Sequence, residues 1–313
     1  MVIQFWGVRG SLPTPLSSDQ LKSKISAIVQ RISPSDLENS DSRERFIENL
    51  PEFISSTVGG NTACVEVTSS TGTEFILDCG SGMRALGKKL AKSQKKVFHI
   101  FISHFHWDHL QGLPFFDPIY NPSVEMHFYF PGNMTKDCLS AQMKPPFFPV
   151  TLESCTKKMF FHDITKTNKF TIDGTEISWQ KMNHPGGSFA YSFIDQGKKF
   201  IYATDTELRE EDLSPSCPDI QFFRSADVLV LDAQYTVEEA FIKENWGHSS
   251  FNRTIDFSVM RDVKNLYLFH HDPTYSDKKI DSILSSARWY LDYIGKKSKM
   301  SVYIASEGKY IEI

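Results

Sequence analysis

The sequence lacks the features of membrane, secreted and disulfide-rich proteins. No run reaches the ~18 unbroken apolar residues that a membrane-spanning helix needs. The opening segment, MVIQFWGVRG, has neither the basic start nor the cleavage site of a signal peptide. The five cysteines among 313 residues form no CxxC pair, so neither a disulfide framework nor a thiolate zinc site is indicated. We therefore expect a cytoplasmic protein with reduced thiols and no membrane partner.

An excess of positive charge is missing as well. The chain has 34 basic and 38 acidic side chains, and its formal net charge is −4. This balance argues against a broad basic face for long nucleic acid. A small anionic substrate is the expected partner, and RNA is a less favoured one.

Short segments rich in β-branched and aromatic residues, bounded by Gly, Pro, Asn or Asp, recur along the chain and predict β-strands. They are MVIQFWG, ACVEVTSS, EFILDCG, VFHIFISH, VEMHFYF, KFTIDGTEISWQKM, SFAYSFI, KFIYATD, VLVLDAQ, NLYLFHH and SVYIAS. Helical patterns are fewer: SGMRALGKKLAKS, SSFNRTIDFSVMRD and DKKIDSILSSARWYLDYI. This order predicts an α+β fold in which two sheets pack together with helices outside. We expect a single domain over residues 1–313.

Residues 14–57 interrupt the strand pattern with two apolar stripes at helical spacing. The stripes comprise Leu21, Ile25, Ile28, Val29 and Ile32, and then Phe46, Ile47, Leu50 and Phe53. We expect a helical insertion between the first two strands. Because the stripes need a partner surface, the insertion should pack as a lid or edge beside the site, or across a homodimer interface.

The segment SHFHWDHLQG places four polar side chains directly after the apolar run VFHIFI; they are His104, His106, Asp108 and His109. Alternate strand residues share a face, so His104 and His106 project the same way if the extended conformation continues. Imidazole and carboxylate ligands suit Zn²⁺, Mn²⁺ or Fe²⁺. Four such groups at the end of an apolar strand are costly to bury without an ion, so the pattern predicts a metal site.

Further candidate ligands stand at the ends of other predicted strands. His184 lies in KMNHPGG, Asp205 follows the apolar run of FIYATD, and His270 or His271 ends NLYLFHH. Taken singly, each is more commonly a core or loop residue. Taken together with HxHxDH, they complete two metal sites.

These motifs resemble those of the metallo-β-lactamase superfamily, in particular its phosphodiesterase branch, which includes ribonuclease Z, cyclic-nucleotide phosphodiesterases and the phosphonate-pathway cyclic phosphodiesterase. The resemblance is carried from the first strand to the last by FWGVRGSLP, GGNTACVEV, LDCGSGMRALG, SHFHWDHLQGLPFF and LFHHDP, and the insertion lies outside it. It implies an αββα sandwich of two mixed β-sheets flanked by helices. It also implies a dinuclear metal-dependent hydrolase of phosphodiesters.

The resemblance implies a ligand set for two divalent metal ions, with zinc in first place and manganese or iron as alternatives. The first ion would be held by His104, His106 and His184, the second by Asp108, His109 and His270, with Asp205 bridging them. His270 is preferred to His271 because the family's last histidine directly follows its strand. Asp78, in FILDCGSG, would orient a ligand histidine or the loop, although an Asp before Gly is equally typical of a simple turn.

Three residues are predicted to act on the substrate. Asp108 would orient the attacking water or accept its proton. His248, in WGHSSF, resembles the family's general-acid histidine, and Asp232, in LDAQY, aligns with the carboxylate that holds it. The family has Glu at that position, so the shorter Asp puts the reach in question. A solvated loop histidine is the ordinary alternative for His248 taken alone.

The function that these residues favour is hydrolysis of a small phosphodiester, with cyclic nucleotides as the leading class. A ribonuclease Z-like tRNA 3′-processing endonuclease is the alternative, but the excursion SAQMKPPFFPVTLESCTKKMFFHDITKTN lacks the Gly-, Pro- and Lys-rich character of a tRNA-gripping arm. An iron-dependent redox member and a non-catalytic ligand sensor are other classes. The pairing of Asp232 with His248 disfavours the first, and the intact ligand set disfavours the second.

Overall fold

The strands of the chain form two sheets in a computed structural model that describes residues 1–214, 220–294 and 299–313. In these ranges each sheet has seven strands. The first sheet runs, in spatial order, β14 (Tyr310–Glu312), β1 (Val2–Gly7), β2 (Cys64–Thr68), β3 (Glu74–Leu77), β4 (Val97–Phe101), β5 (Glu125–Phe130) and β6 (Met159–Asp163). The second runs β13 (Ser301–Ile304), β12 (Asn265–Phe269), β11 (Val228–Asp232), β10 (Lys198–Ala203), β9 (Ser188–Asp195), β8 (Thr175–Met182) and β7 (Lys169–Ile172).

Both sheets are mixed. In the first, β3 to β6 pair in parallel, whereas β14, β1, β2 and β3 pair antiparallel. In the second, β10 to β13 pair in parallel and β7 to β10 antiparallel. Since two antiparallel steps restore direction, β8 runs the same way as β10. The carboxyl ends of β8, β10, β11 and β12 therefore lie at one edge.

Helices flank both sheets. They are α1 (Ser18–Val29), α2 (Ser40–Glu48), α3 (Glu52–Ser55), α4 (Met83–Leu90), α5 (Thr135–Gln142), α6 (Ile220–Phe223), α7 (Val237–Ile242), α8 (Phe251–Met260) and α9 (Asp277–Ile294). Helices α8 and α9 contribute to the apolar cluster on the outer face of the second sheet, and α4 contributes to that of the first. Among the described helices, none combines the length and apolar character needed to cross a bilayer.

Strand β11 shows why the sheets are buried on both faces. Val228 and Val230 belong to the cluster between the sheets, whereas Leu229 and Leu231 belong to the cluster beneath the helices. Successive strand residues point to opposite faces, so a continuous apolar run is what such a layer requires. The predicted α+β sandwich of two mixed sheets flanked by helices is confirmed.

The segment KFTIDGTEISWQKM forms a hairpin of two strands, β7 and β8, rather than one long strand. Asp173 and Gly174 make its turn, with φ of 45° and 86°. Positive φ at both central residues is the geometry of the tight turns that join antiparallel strands. Strands β6 and β14 and helices α5 and α7 were not anticipated from the sequence.

The segment between β1 and β2 contains α1, α2 and α3. It is anchored to the start of α9: Lys24 Nζ lies 2.7 Å from Asp277 Oδ2 and donates to the carbonyl oxygens of Phe53 and Ser56. Residues Leu50 and Ile54 are buried. The second apolar stripe is therefore partly covered within one chain.

The first stripe behaves differently. Leu21, Ile25 and Val29, spaced four residues apart on α1, are 50%, 52% and 64% exposed. Ile28 and Ile32, the other members of this stripe, are half-buried, so the chain covers the stripe only in part, and its packing as a lid or edge or across a homodimer interface stays a prediction. Against the described ranges, Leu21, Ile25 and Val29 each stay at least half exposed.

Candidate metal centre at the strand ends

The predicted ligands follow strand ends that meet at one edge of the sandwich. His104 and His106 follow β4, and Asp108 and His109 lie in a short 3-10 turn, Trp107–His109. The other three predicted ligands follow β8, β10 and β12: His184, Asp205 and His270. The extended course predicted between His104 and His106 therefore gives way to a tight turn within three residues, which folds the second pair back over the first.

A first group consists of His104, His106, His184 and Asp205, whose ligand atoms all lie within 4.8 Å of one another. The ring centroids of His104 and His106 are 4.4 Å apart, and that of His184 is 4.8 Å from the first and 5.0 Å from the second. Three imidazoles from two strands thus surround one point, as a three-histidine metal site requires.

A second group consists of Asp108, His109 and His270, again within 4.8 Å. Asp108 Oδ2 lies 3.4 Å from His109 Nε2 and 3.2 Å from His270 Nε2. Asp205 faces both groups: its Oδ1 is 3.2 Å from His109 Nε2 and 3.3 Å from His270 Nε2, and its Oδ2 is 3.6 Å from His104 Nε2. The carboxylate therefore occupies the position expected of a bridge.

The structure places His270 rather than His271 in this group. His271 Nε2 donates to the carbonyl oxygen of Ala305 at 3.0 Å. Burial, together with Arg9, lowers the pKa of His271 to about 3, so its ring is neutral at ordinary pH. The first histidine of the doublet faces the ligands, and the second is a core residue.

Hydrogen bonds hold the Nδ1 atom of three of the predicted ligand histidines. His109 Nδ1 donates to Asp78 Oδ2 at 2.8 Å, His104 Nδ1 to Ser103 Oγ at 3.0 Å, and His184 Nδ1 to the carbonyl oxygen of Gly247 at 2.8 Å. Such bonds fix the tautomer and leave Nε2 as the ligand atom. Asp78 is thus an orienting carboxylate and not only a turn residue.

The donor set fits divalent metal ions. His104 Nε2 and His109 Nε2 are buried and have no hydrogen-bond partner among the described residues, although both face Asp205. A buried polar atom left unpaired is costly, by about 1–3 kcal/mol. Imidazole nitrogen and carboxylate oxygen are the ligands that zinc, manganese and iron accept. A cation between the rings and Asp205 would satisfy these atoms.

The charges of the cluster point the same way. Burial alone would raise the pKa values of Asp108 and Asp205, but the facing histidines outweigh it and hold both well below the usual range. Burial would likewise lower the pKa of His109, yet Asp205, Asp108 and Asp78 raise it well above the usual value. Three carboxylates around one imidazole therefore favour a positive charge at this point.

His248 and Asp232 form a hydrogen-bonded pair beside the ligands. His248 Nδ1 donates to Asp232 Oδ2 at 2.6 Å, so the shorter Asp reaches its partner. The backbone N–H groups of Gln234 and Ser249 donate to Asp232 Oδ1 at 3.1 and 3.2 Å. Burial would lower the pKa of His248, but Asp232 outweighs it and raises that pKa. The ring stacks on His270 with centroids 4.8 Å apart.

A third combination, Asp205, His248 and His270, also lies within 4.8 Å. It shares two members with the groups above. Because Asp232 holds the Nδ1 of His248, only Nε2 of that ring remains available.

A cavity of about 670 Å³ opens onto this centre. His106, Asp108, Asp205 and His248 lie in its wall. That volume is within the range of about 300–1,000 Å³ found for small-molecule sites.

Comparisons with known proteins identify the family of the chain. A family model described as a β-lactamase superfamily domain matches residues 73–271. The chain belongs to the metallo-β-lactamase superfamily. Ribonuclease Z of Picrophilus torridus is 23% identical over 257 residues, 68% of this chain and 80% of that protein. Relatives of this kind place the present chain among the phosphodiesterase-branch hydrolases of the superfamily.

Two solved structures show the shared fold over the whole chain. The metallo-β-lactamase fold protein YhfI from Bacillus subtilis has a TM-score of 0.65 at 14% identity, covering 100% of this chain and 98% of its own. A diphosphatase from the PhnP family has a TM-score of 0.61 at 15% identity, covering 100% and 97%.

Several supporting residues of this superfamily member escaped sequence reasoning. Ser103 and Tyr202 both donate to Asp78 Oδ2, at 2.7 and 2.8 Å. Glu207 accepts from the backbone N–H groups of Asn245 and Gly247 at 2.9 Å and so holds the loop before His248. Only Ser103, next to a predicted ligand, had a signal in the sequence. The other contacts join segments that are far apart in the chain.

Gly10 is a second kind of support. A Cβ at this position would lie 1.8 Å from Cε1 and 2.0 Å from Nε2 of His270. Its backbone N–H donates to the carbonyl oxygen of His271 at 3.2 Å, and its lack of a side chain is what allows the His270 ring to lie where it does.

Gly10→Ala should therefore displace His270 and lower the metal content from two ions to about one per chain, measured by elemental analysis after reconstitution. Gly174→Ala is the control for backbone strain away from the centre: a Cβ there meets nothing within 4 Å, but the φ of 86° in the β7–β8 turn disfavours alanine. It should keep both ions. Full metal content in Gly10→Ala would show that His270 is not a ligand.

Proposed function

We propose that the protein is a dinuclear metal-dependent phosphodiesterase that hydrolyses a small, nucleotide-like diester, with cyclic nucleotides as the leading substrate class. One observation carries the proposal: His248, held by Asp232, lines the same cavity as members of both ligand groups. The ribonuclease Z relatives and the PhnP-family diphosphatase support the chemistry. The cytoplasmic location expected from the sequence belongs to the same proposal.

Two divalent ions, zinc first and manganese or iron as alternatives, would activate water at neutral pH and neutralise charge on the phosphoryl oxygens. The chain supplies their ligands as the two groups described above. Neutral imidazoles and ionised carboxylates are the forms that bind cations. Burial lowers the pKa values of His104 and His184, and Asp108 and Asp205 are held ionised.

Asp108 orients the attacking water. Its carboxylate lies in the cavity wall and is ionised, so it can accept a hydrogen bond or a proton from that water. Its Oδ2 lies 3.4 Å from His109 Nε2 and 3.2 Å from His270 Nε2, so an ion held by these three atoms would also fix the carboxylate.

His248 protonates the leaving oxygen. Its Nδ1 is committed to Asp232, which leaves Nε2 to donate into the cavity. Asp232 cannot turn away, because backbone N–H groups hold its other oxygen. A ribose oxygen is a poor leaving group and gains from a proton in the transition state by about 10²–10⁴-fold.

Cleavage of a tRNA precursor is the second candidate, and the names of the curated relatives favour it. The excursion after β5 folds as α5 and a short 3-10 turn, Leu152–Ser154, which pack on the first sheet's outer cluster. A packed segment is a poor arm for gripping RNA. The net charge of −4 also disfavours a long polyanion.

An iron-dependent redox enzyme and a non-catalytic ligand sensor fit the site less well. A redox site has no use for a proton donor held by a buried carboxylate, as His248 is by Asp232. A non-catalytic sensor would have no need of seven converging ligands.

His248→Ala should reduce hydrolysis of a cyclic nucleotide by about 10²–10⁴-fold. A p-nitrophenyl diester should be affected much less, because p-nitrophenolate leaves without a proton. Steady-state kinetics on the two substrates give the comparison, and metal analysis must show unchanged content. Asp232→Asn should follow the same pattern more weakly. Equal losses on both substrates would remove the general acid from the mechanism.

The proposal includes self-association through α1. Leu21, Ile25 and Val29 form an exposed apolar row, and a second copy of the chain is one of the partners proposed for it from the sequence. A two-fold interface would place the same row on both sides.

Ile25→Glu should therefore lower the mass in solution from that of a dimer to about 35.8 kDa, measured by light scattering on a sizing column. Val97→Glu, at a 43% exposed apolar residue on the first sheet, is the control and should leave the mass unchanged. A monomeric wild-type protein at high concentration would rule out this interface.

A further inference from the structure

Two tryptophans stand uncovered at the mouth of the cavity. Trp107 is 85% exposed and Trp246 is 64% exposed, and both line the same cavity as His106, Asp108 and His248. An indole is the largest apolar side chain, and leaving it in water forgoes the burial that usually stabilises it. Exposed aromatic residues grouped at a polar site indicate a surface that something covers.

Hydrogen bonds of main-chain groups hold the two segments that carry the tryptophans. Trp107 begins the turn Trp107–His109, and its carbonyl oxygen accepts from the N–H groups of Leu110 and Gln111 at 3.0 and 2.8 Å. Trp246 lies between Asn245 and Gly247, whose N–H groups both donate to Glu207. Because the backbone is held at both positions, a ligand would have to order only the two indole side chains.

A cation lies beside this surface. Lys243 Nζ is 4.3 Å from the ring centroid of Tyr235 and 5.9 Å from that of Trp246. Asp272 Oδ2 lies 3.4 Å away and balances its charge. The patch is therefore aromatic, with its cation paired to a carboxylate, which suits an aromatic ring better than an additional phosphate group.

We propose that Trp107 and Trp246 form a stacking site for the nucleobase of the substrate, so that the protein selects diesters that carry a nucleoside. This inference rests on the proposed phosphodiesterase function and names the substrate feature that it recognises. Stacking on aromatic side chains tolerates different bases, because every base has a π-face. The cavity of about 670 Å³ is large enough for a ligand of nucleotide size.

Binding tests the inference without any turnover. Isothermal titration of the metal-loaded protein with adenosine 5′-monophosphate and with ribose 5′-phosphate isolates the base, since the two ligands share sugar and phosphate. The wild type should prefer the nucleotide by about 10- to 100-fold. Trp246→Leu should lose about tenfold of that preference with little change for ribose 5′-phosphate, and Trp246→Phe should restore most of it.

Trp107→Leu should act in the same direction, with metal content measured because its neighbours are predicted ligands. Trp289→Leu is the matched control: Trp289 is 68% exposed on α9, stacks on Tyr293 and lies outside the cavity, so its loss should leave the preference unchanged. Equal binding of the two ligands to the wild type, or a preference that survives both leucine substitutions, would overturn the stacking site.

Turnover separates this inference from the proposed function. The p-nitrophenyl ester of adenosine 5′-monophosphate and methyl p-nitrophenyl phosphate have the same leaving group, and Trp246→Leu should lower kcat/KM only for the first, mainly through KM. If the metal-loaded protein hydrolyses neither ester, the phosphodiesterase function fails, while the titrations still decide the base site. If Trp246→Leu abolishes a dimer and leaves nucleotide preference intact, the tryptophans belong to an interface and the inference fails.

Discussion

The carboxylate of Asp78 is the contact on which the candidate site depends. It lies at the end of β3, fully buried, and accepts from the backbone N–H and hydroxyl of Ser103 and from His109 Nδ1. Tyr202, on β10 of the opposite sheet, donates to the same group. One side chain thus ties the ligand loop after β4 to both sheets, and the position of the loop follows from how the sheets pack.

The backbone at the strand ends shows what this arrangement costs. Asp78, Asp205 and His270 have φ of 60°, 48° and 61°, the left-handed region that side chains other than glycine seldom adopt. Each such residue costs of order 1–3 kcal/mol, so the surrounding layers must hold it in place. Apolar strands buried on both faces provide that rigidity at these three strand ends.

Much of this could be predicted from the sequence, because it is written in local patterns. Apolar runs located most strands of both sheets, although not β6 and β14, and HxHxDH located the ligand loop. The contacts of Tyr202 with Asp78 and of Glu207 with Gly247 could not be predicted from the sequence, because they join segments that only the fold brings together. Periodicity also showed that α1 has an apolar face, but Leu21 and Ile25 remain exposed because a stripe does not specify its partner.

The loop before α8 positions two histidines, through Gly247 and His248. The Gly247 carbonyl orients His184, and the next side chain is the one held by Asp232. A Cβ at Gly247 would lie 2.3 Å from His184 Nδ1, so even a methyl group there would disturb both. Substitutions at position 247 should therefore be poorly tolerated. New substrate preferences are more accessible through the adjoining walls, where side chains can change without moving the loop.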